Sequence, residues 1–388
     1  MINSEPRYRL RLPGPTEVPE RVLQATARSI LNHRGPEFAE MLGEVADLLR
    51  PIKGTNNEIM VFASSGTGVM EASLANAVVP GDRILVLNNG QWGGRFKSIA
   101  AGLGLDEGLD EIDVPWGEAV PVAALKEKLA STDYDAVIAI HNESSTGAVG
   151  DLAEIGAAVA ETDAILIVDS VSGLGGLEMR QDVWGVDILV SASQKALMCP
   201  PGLGLVSVSE KAWQRINAER GQTRFYWDYR KALEWAKKGQ TAFTPPVSLV
   251  SGLHEALVAI HEEGFENVLR RHAVLARAMR AGADALGLPL FPTAPMTSNT
   301  VGVFAVPDGI DGSAIVQKMY QEHGTVIAGA RNAFRGKMIR IGTMGAVCAD
   351  DILTDLDHLG QVGSDLNPAI DPAAGVTAAR ASLDQNAN

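Results

Sequence analysis

Residues 58–87 read EIMVFASSGTGVMEASLANAVVPGDRILVL, and this stretch decides the fold. Glu58 to Ala63 is a short apolar run, Ser64 to Gly68 is small and polar, and Val69 to Val79 has a helical composition. Pro80-Gly81-Asp82 stops that helix, and Arg83 to Leu87 opens a second apolar run. Both runs are continuous rather than alternating, which marks strands buried on both faces. Strand, helix and strand in this order make a parallel pair joined by a right-handed crossover.

The same rhythm extends outward. Ala136 to Ile140, Ala164 to Val168 and Asp187 to Val190 read as further strands, and two more short runs, Gly204 to Val208 among them, complete a set of seven. An α/β domain with a mostly parallel sheet flanked by helices is expected. Beyond Thr244-Pro245-Pro246 a helical stretch runs from Val247 to Leu286, with a break at Gly264. Strands at Thr300 to Val306 and Met338 to Ile341 then enclose a helix from Gly312 to His323. The division read from this pattern is an N-terminal arm at 1–15, a large domain at 16–250 and a smaller α+β domain at 251–362. Residues 363–388, polar and rich in Ala and Pro, read as a disordered tail.

Composition excludes several classes. The chain has 388 residues, of which 46% are hydrophobic, so a disordered polymer is ruled out. Two cysteines, Cys199 and Cys348, are too few for a disulfide scaffold. With 33 Lys+Arg against 47 Asp+Glu, the net charge of −14 offers no footprint for nucleic acid. No run approaches the length of a membrane span, and Met1 to Arg11 lacks an apolar signal core, so a cytoplasmic protein is expected. His141, His254 and His261 show no paired metal-ligand spacing, and no metal is expected.

Ligands of parallel sheets sit at the carboxyl ends of the strands. There the sequence places Ser64 to Gly68, Asn88 to Trp92, His141 to Gly147, Asp169-Ser170 and Ser191 to Lys195. Ser64 to Gly68, between strand and helix, suits a phosphate, with a merely capped turn as the alternative. No Gly-Lys-Ser/Thr follows it, and no Gly-x-Gly-x-x-Gly is present, which weakens nucleotide and dinucleotide readings. Asp169 ends a buried strand as either a helix cap or the partner of a ligand cation. Lys195, beside Ala196-Leu197-Met198, is either a surface amine or a nucleophile of lowered pKa. Trp92 is core or a stacking plane, and Arg340 is a paired strand charge or a carboxylate clamp. An amine, an acid and a phosphate site together fit pyridoxal phosphate.

Pro13-Gly14-Pro15, His33 to Phe38 (HRGPEF), SSGTG, NGQWG, HNESSTG, VDSVSGLGG, SASQKAL, PPGLG and IRIG occur in that order over residues 8–360. In these motifs the chain resembles the class V aminotransferases of fold type I, in particular the alanine/serine–glyoxylate group. The resemblance implies that Lys195 carries the cofactor as a Schiff base, Asp169 faces the pyridine nitrogen and Trp92 stacks on the ring. It implies phosphate contacts from Thr67, Gly68 and Val69 with Gln194 beside them, and Ser144 near the ring hydroxyl or the substrate. Arg340 would bind the substrate carboxylate, with Gly14 also at the substrate. Thr244 would reach the cofactor of a neighbouring subunit, so a homodimer is implied. Gly35 stands where the family often has Ser, and Thr241 where eukaryotic members have a phosphate-binding Tyr.

The implied reaction moves an amino group from alanine or serine to glyoxylate or pyruvate in a ping-pong cycle. Aspartate, a ureido amino acid or an aminophosphonate are alternative donors, with Arg331 and Arg335 as candidate partners for a second acidic group. A cysteine desulfurase, the nearest rival, needs a nucleophilic Cys in Thr325 to Lys337, where none occurs.

Overall fold

A computed structural model describes residues 8–218, 220–330 and 332–385. Seven strands form the main sheet in the order Ile59–Ser64, Gly202–Val208, Ile188–Ala192, Ile165–Asp169, Ala136–Ile140, Ile84–Asn88 and Leu109–Asp113. Gly202–Val208 runs antiparallel to both of its neighbours, and the other pairs are parallel. The mostly parallel α/β sheet expected from the sequence is therefore the one observed.

The continuous apolar runs resolve into two cores. Leu85, Leu87, Val137, Ala139, Leu166, Val168 and Leu189 face one core, while Ile84, Val86, Ile138, Ile165, Ile167 and Ile188 face the other. Successive side chains of a strand point to opposite faces, so each run supplies both cores in turn. Helices Pro36–Lys53 and Val247–Glu263 close the first core, and Gly66–Ala77 and Gln91–Gly102 close the second. Among the described residues, no helix is long and apolar enough to cross a membrane.

The smaller unit holds an antiparallel sheet of Val301–Ala305, Met338–Gly342 and Ala328–Gly329. Helices Phe265–Ala285, Gly312–His323 and Ala349–Leu366 build its core. Two expectations need correction. Residue 251 lies inside Val247–Glu263, whose Val250, Leu253, Ala256 and Ile260 belong to the first core, so the chain does not leave that core at 250/251. The tail expected at 363–388 is not disordered over its described part. Ala349–Leu366 runs through Gly363, and a further helix, Ala374–Asp384, lies against Phe265–Ala285. A Cβ on Gly282 would stand 2.9 Å from the Gly375 carbonyl oxygen, so two glycines permit this close approach. The polar, Ala-rich composition conceals a small-residue face that packs without bulky side chains.

The N-terminal arm is tied to the smaller unit. Arg9–Leu10 pairs in parallel with Thr325–Val326, and the Gly342 amide donates to the Arg11 carbonyl at 2.7 Å. Arg11 is buried, its Nε 2.6 Å from Asp355 Oδ2 and its Nη2 2.6 Å from Asp351 Oδ1. A guanidinium with no exposed surface is tolerable only in such a fully hydrogen-bonded pairing.

Candidate active site

The carboxyl ends of five strands converge on one cavity of about 270 Å³. Asp169 ends Ile165–Asp169, Lys195 follows Ile188–Ala192, and Ser65 to Thr67 follow Ile59–Ser64. Ser144 comes from the loop after Ala136–Ile140, and Trp92 from the helix after Ile84–Asn88. Gly14 of the arm and Gln194 complete the part of the wall that the sequence singled out.

Lys195 is only 9% exposed, and burial lowers its amine to about 8, with Asp169 acting against that shift and Arg340 adding to it. Its Nζ donates to the Pro13 carbonyl. The neighbouring Gly14 sits at φ 108, and a Cβ there would collide with the lysine side chain. Thr16 completes the seat, its Oγ1 donating to the Lys195 carbonyl at 3.0 Å. Asp169 is raised to about 6 by burial, opposed by the Val171 amide that donates to its Oδ1 at 2.7 Å and by the charges of Lys195 and Arg95. Burial thus perturbs both groups, and the charge of each favours the ionised form of the other.

Trp92 is held by the segment from Glu143 to Ser145. Gly90 precedes the helix Gln91–Gly102 and has no capping side chain. Instead Ser145 Oγ accepts from the Gln91 amide at 3.0 Å and Glu143 Oε2 accepts from the Trp92 amide at 2.9 Å. The Trp92 indole donates to Ser144 Oγ at 2.9 Å. Glu143, fully buried, is pushed up to about 7 by desolvation despite these donors. Behind Asp169, His141 Nδ1 lies 2.8 Å from Ser170 Oγ, and burial lowers its pKa to about 4, so it is neutral there.

Several expected residues are placed differently. Gly68 and Val69 do not line the cavity: the helix begins at Gly66, earlier than the sequence reading, and both amides donate to the Ser65 carbonyl. Ser65, Gly66 and Thr67 form the helix start that faces the cavity instead. Thr244 is exposed and lines a separate groove with Thr241, Phe243 and Tyr226. Arg340 does not line the cavity but lies beside it, its Nη1 donating to the carbonyl of the lining residue Ser144 at 3.3 Å and its Nη2 to the Gly329 carbonyl at 2.9 Å. Arg335 is exposed and outside the cavity wall, and Arg331 lies outside the described residues. Sequence reading missed Val171, Ser172 and Arg95. Arg95 was accessible to it, because it follows Trp92 by one helical turn on the same face.

The family model for class V aminotransferases matches residues 12–353. An L-aspartate–glyoxylate aminotransferase of Paracoccus denitrificans is 35% identical over 95% of this chain and 94% of its own length. The chain is a class V aminotransferase. A serine–glyoxylate aminotransferase of Methylorubrum extorquens is 33% identical to the enzyme over 98% of this chain and 97% of its own. The crystal structure of a ureidoglycine–glyoxylate aminotransferase from Bacillus subtilis superposes with a TM-score of 0.93 at 27% identity, covering 99% of this chain and 100% of that one. The fold is thus that of fold type I, and pyridoxal phosphate is the cofactor. The cavity fits it: a buried amine, a buried carboxylate, an indole and a helix start share one wall. Gln194 Oε1, in the same wall, is buried with no hydrogen-bond partner among the described residues, a polar atom that a ligand can satisfy.

Proposed function

We propose that the enzyme transfers the amino group of alanine or serine to glyoxylate or pyruvate by a ping-pong mechanism, as a cytoplasmic homodimer. The observation that supports this reading is that Lys195 and Asp169 line one cavity of about 270 Å³, with Arg340 hydrogen-bonded to the carbonyl of Ser144 in its wall. When bound, pyridoxal phosphate supplies an electron sink for the charge left at Cα. Lys195 would hold it, and the amine, lowered to about 8, is neutral often enough near pH 7 to take the α-proton of the amino acid. Asp169 would keep a proton on the pyridine nitrogen by charge pairing. Gln194, with the amides of Gly66 and Thr67, would receive the phosphate, and Trp92 would fix the ring plane.

Arg340 would orient the substrate carboxylate. Its guanidinium is steadied by the Ser144 and Gly329 carbonyls, so its direction is set before substrate arrives. Gly14 would leave room beside Lys195, and Ser144 would stand at the ring hydroxyl or the substrate. Thr244, away from the cavity of its own chain, would serve the partner's site. The relative from Paracoccus, named for aspartate, favours a second reading in which the donor carries a second carboxylate.

The deciding experiment offers alanine, serine, aspartate and a ureido amino acid against glyoxylate and pyruvate, following the cofactor absorbance in each half-reaction. Alanine or serine should discharge the cofactor fastest, and the discharged enzyme should be recharged by the oxo acid alone. Preference for aspartate would replace the donor assignment. A Lys195→Ala protein that turned over at the natural rate would sink the mechanism.

A further inference from the structure

We propose that Arg95 is an anion clamp for the phosphate ester of the cofactor, adding a fixed positive charge to the start of the helix Gly66–Ala77. Arg95 lies on the cavity wall together with Gly66, Thr67 and Trp92. Its Nη1 donates to Thr67 Oγ1 at 2.9 Å, and its guanidinium carbon stands 4.3 Å from the centre of the Trp92 ring. The side chain is therefore held from two sides, by the indole ring against its guanidinium and by the Thr67 hydroxyl.

The need for a cation follows from charge. A phosphate monoester carries between one and a half and two negative charges near neutral pH. A helix N-terminus answers with roughly half a positive charge, and the amides of Gly66 and Thr67 and the Gln194 side chain are neutral donors. Lys195 is committed to holding the cofactor, and Arg340 is directed at the Ser144 and Gly329 carbonyls. Arg95 is the guanidinium anchored at the helix start itself, and a planar fork of donors suits phosphate oxygens. Trp92 would then have two tasks, one toward the ring and one toward the arginine.

This inference rests on the cofactor assignment, and the test separates the two. Cofactor-free enzyme, Arg95→Gln and Arg95→Lys are titrated with pyridoxal phosphate and with pyridoxal, which lacks the phosphate, by quenching of tryptophan fluorescence. Arg95→Gln should weaken pyridoxal phosphate about 10- to 100-fold and leave pyridoxal within about twofold. Lysine should restore most of the loss, since a point charge still attracts phosphate. Inorganic phosphate should compete with pyridoxal phosphate on the natural enzyme at lower concentration than on Arg95→Gln. Equal weakening of both ligands, or of neither, overturns the clamp and leaves Arg95 as a prop for Trp92. Failure of the natural enzyme to bind pyridoxal phosphate overturns the cofactor assignment instead. If Arg95→Gln does not fold, Arg95→Met, whose side chain keeps apolar packing against Trp92 and carries no charge, takes its place: an unchanged ratio of the pyridoxal phosphate and pyridoxal affinities relative to the natural enzyme overturns the clamp.

Discussion

Replacing Lys53 by Met should stabilise the enzyme at pH 7 and destabilise it above pH 10. Lys53 ends the helix Pro36–Lys53 with no exposed surface, its Nζ donating to the Leu189 carbonyl at 3.2 Å and the Leu205 carbonyl at 3.3 Å. Burial lowers its pKa from 10.5 to about 7. At about 1.4 kcal/mol per pH unit, that gap corresponds to a ceiling of about 5 kcal/mol against folding. The sign follows from proton binding. Between pH 7 and 10.5 the unfolded lysine keeps a proton that the folded one has released, so the natural protein gains stability as pH rises. Methionine removes the whole term and forfeits two hydrogen bonds of about 1 kcal/mol each. The net expectation is a gain of at most about 3 kcal/mol at pH 7, turning into a loss of about 2 kcal/mol near pH 10.5. Urea unfolding of both proteins at one chain concentration, from pH 7 to 10.5, measures this. A difference that stays constant across the range, or a variant weaker already at pH 7, refutes the reasoning.

Asp169→Asn should keep the fold and lower the single-turnover rate at least about 100-fold, the cost of losing one charge-assisted contact, read at saturating cofactor. Asp355→Ala takes from the buried Arg11 guanidinium its one fully buried carboxylate, leaving Asp351 and Glu17, and should cost about 3 kcal/mol in unfolding, whereas Arg11→Met with Asp355→Leu should recover most of it. Gly342→Ala places a Cβ against the Leu12 carbonyl, so the arm should lift and trypsin should cut at Arg9 or Arg11 faster than in the natural protein. A thiol reagent should label Cys348, which is exposed, in the folded protein and Cys199 only after denaturation, because burial raises the Cys199 thiol to about 12.

The large sheet was legible because its strands are apolar on both faces, a signal that survives without any tertiary information. The positions of Asp169 and Lys195 were legible for a related reason: a charged residue directly after such a strand has few structural roles. The start of the helix after the first strand was misread by part of a turn. Ser65 caps the helix and accepts from the Gly68 amide, which starts it at Gly66, and a run of Ser, Gly and Thr carries no periodicity to reveal that. The C-terminal helix was hidden because Gly282, Gly375 and Ala379 pack by closeness rather than by bulk. For Arg95 the sequence offers only the spacing from Trp92; its hydrogen bond to Thr67, on another helix, is visible only in the fold.

Positions 9–16 connect parts of the enzyme that a domain description separates. Arg9 and Arg11 grip Asp351 and Asp355 in the smaller unit, and the Arg11 carbonyl accepts from Gly342, two residues beyond Arg340 on the same strand. Immediately after, the Pro13 carbonyl receives Lys195 Nζ, and Thr16 bonds to the Gln194 and Lys195 carbonyls in the larger unit. Arg340 and Lys195 therefore come from different cores but are spaced by one short piece of backbone. An extended chain of a few residues is nearly inextensible, so any tilt of the smaller unit that carries Arg340 must also pull on the seat of Lys195. The buried pairing of Arg11 with Asp355, costly to assemble and worse to break, makes that connection rigid. The distance between Arg340 and Lys195 is thus a property of the arm as much as of either unit.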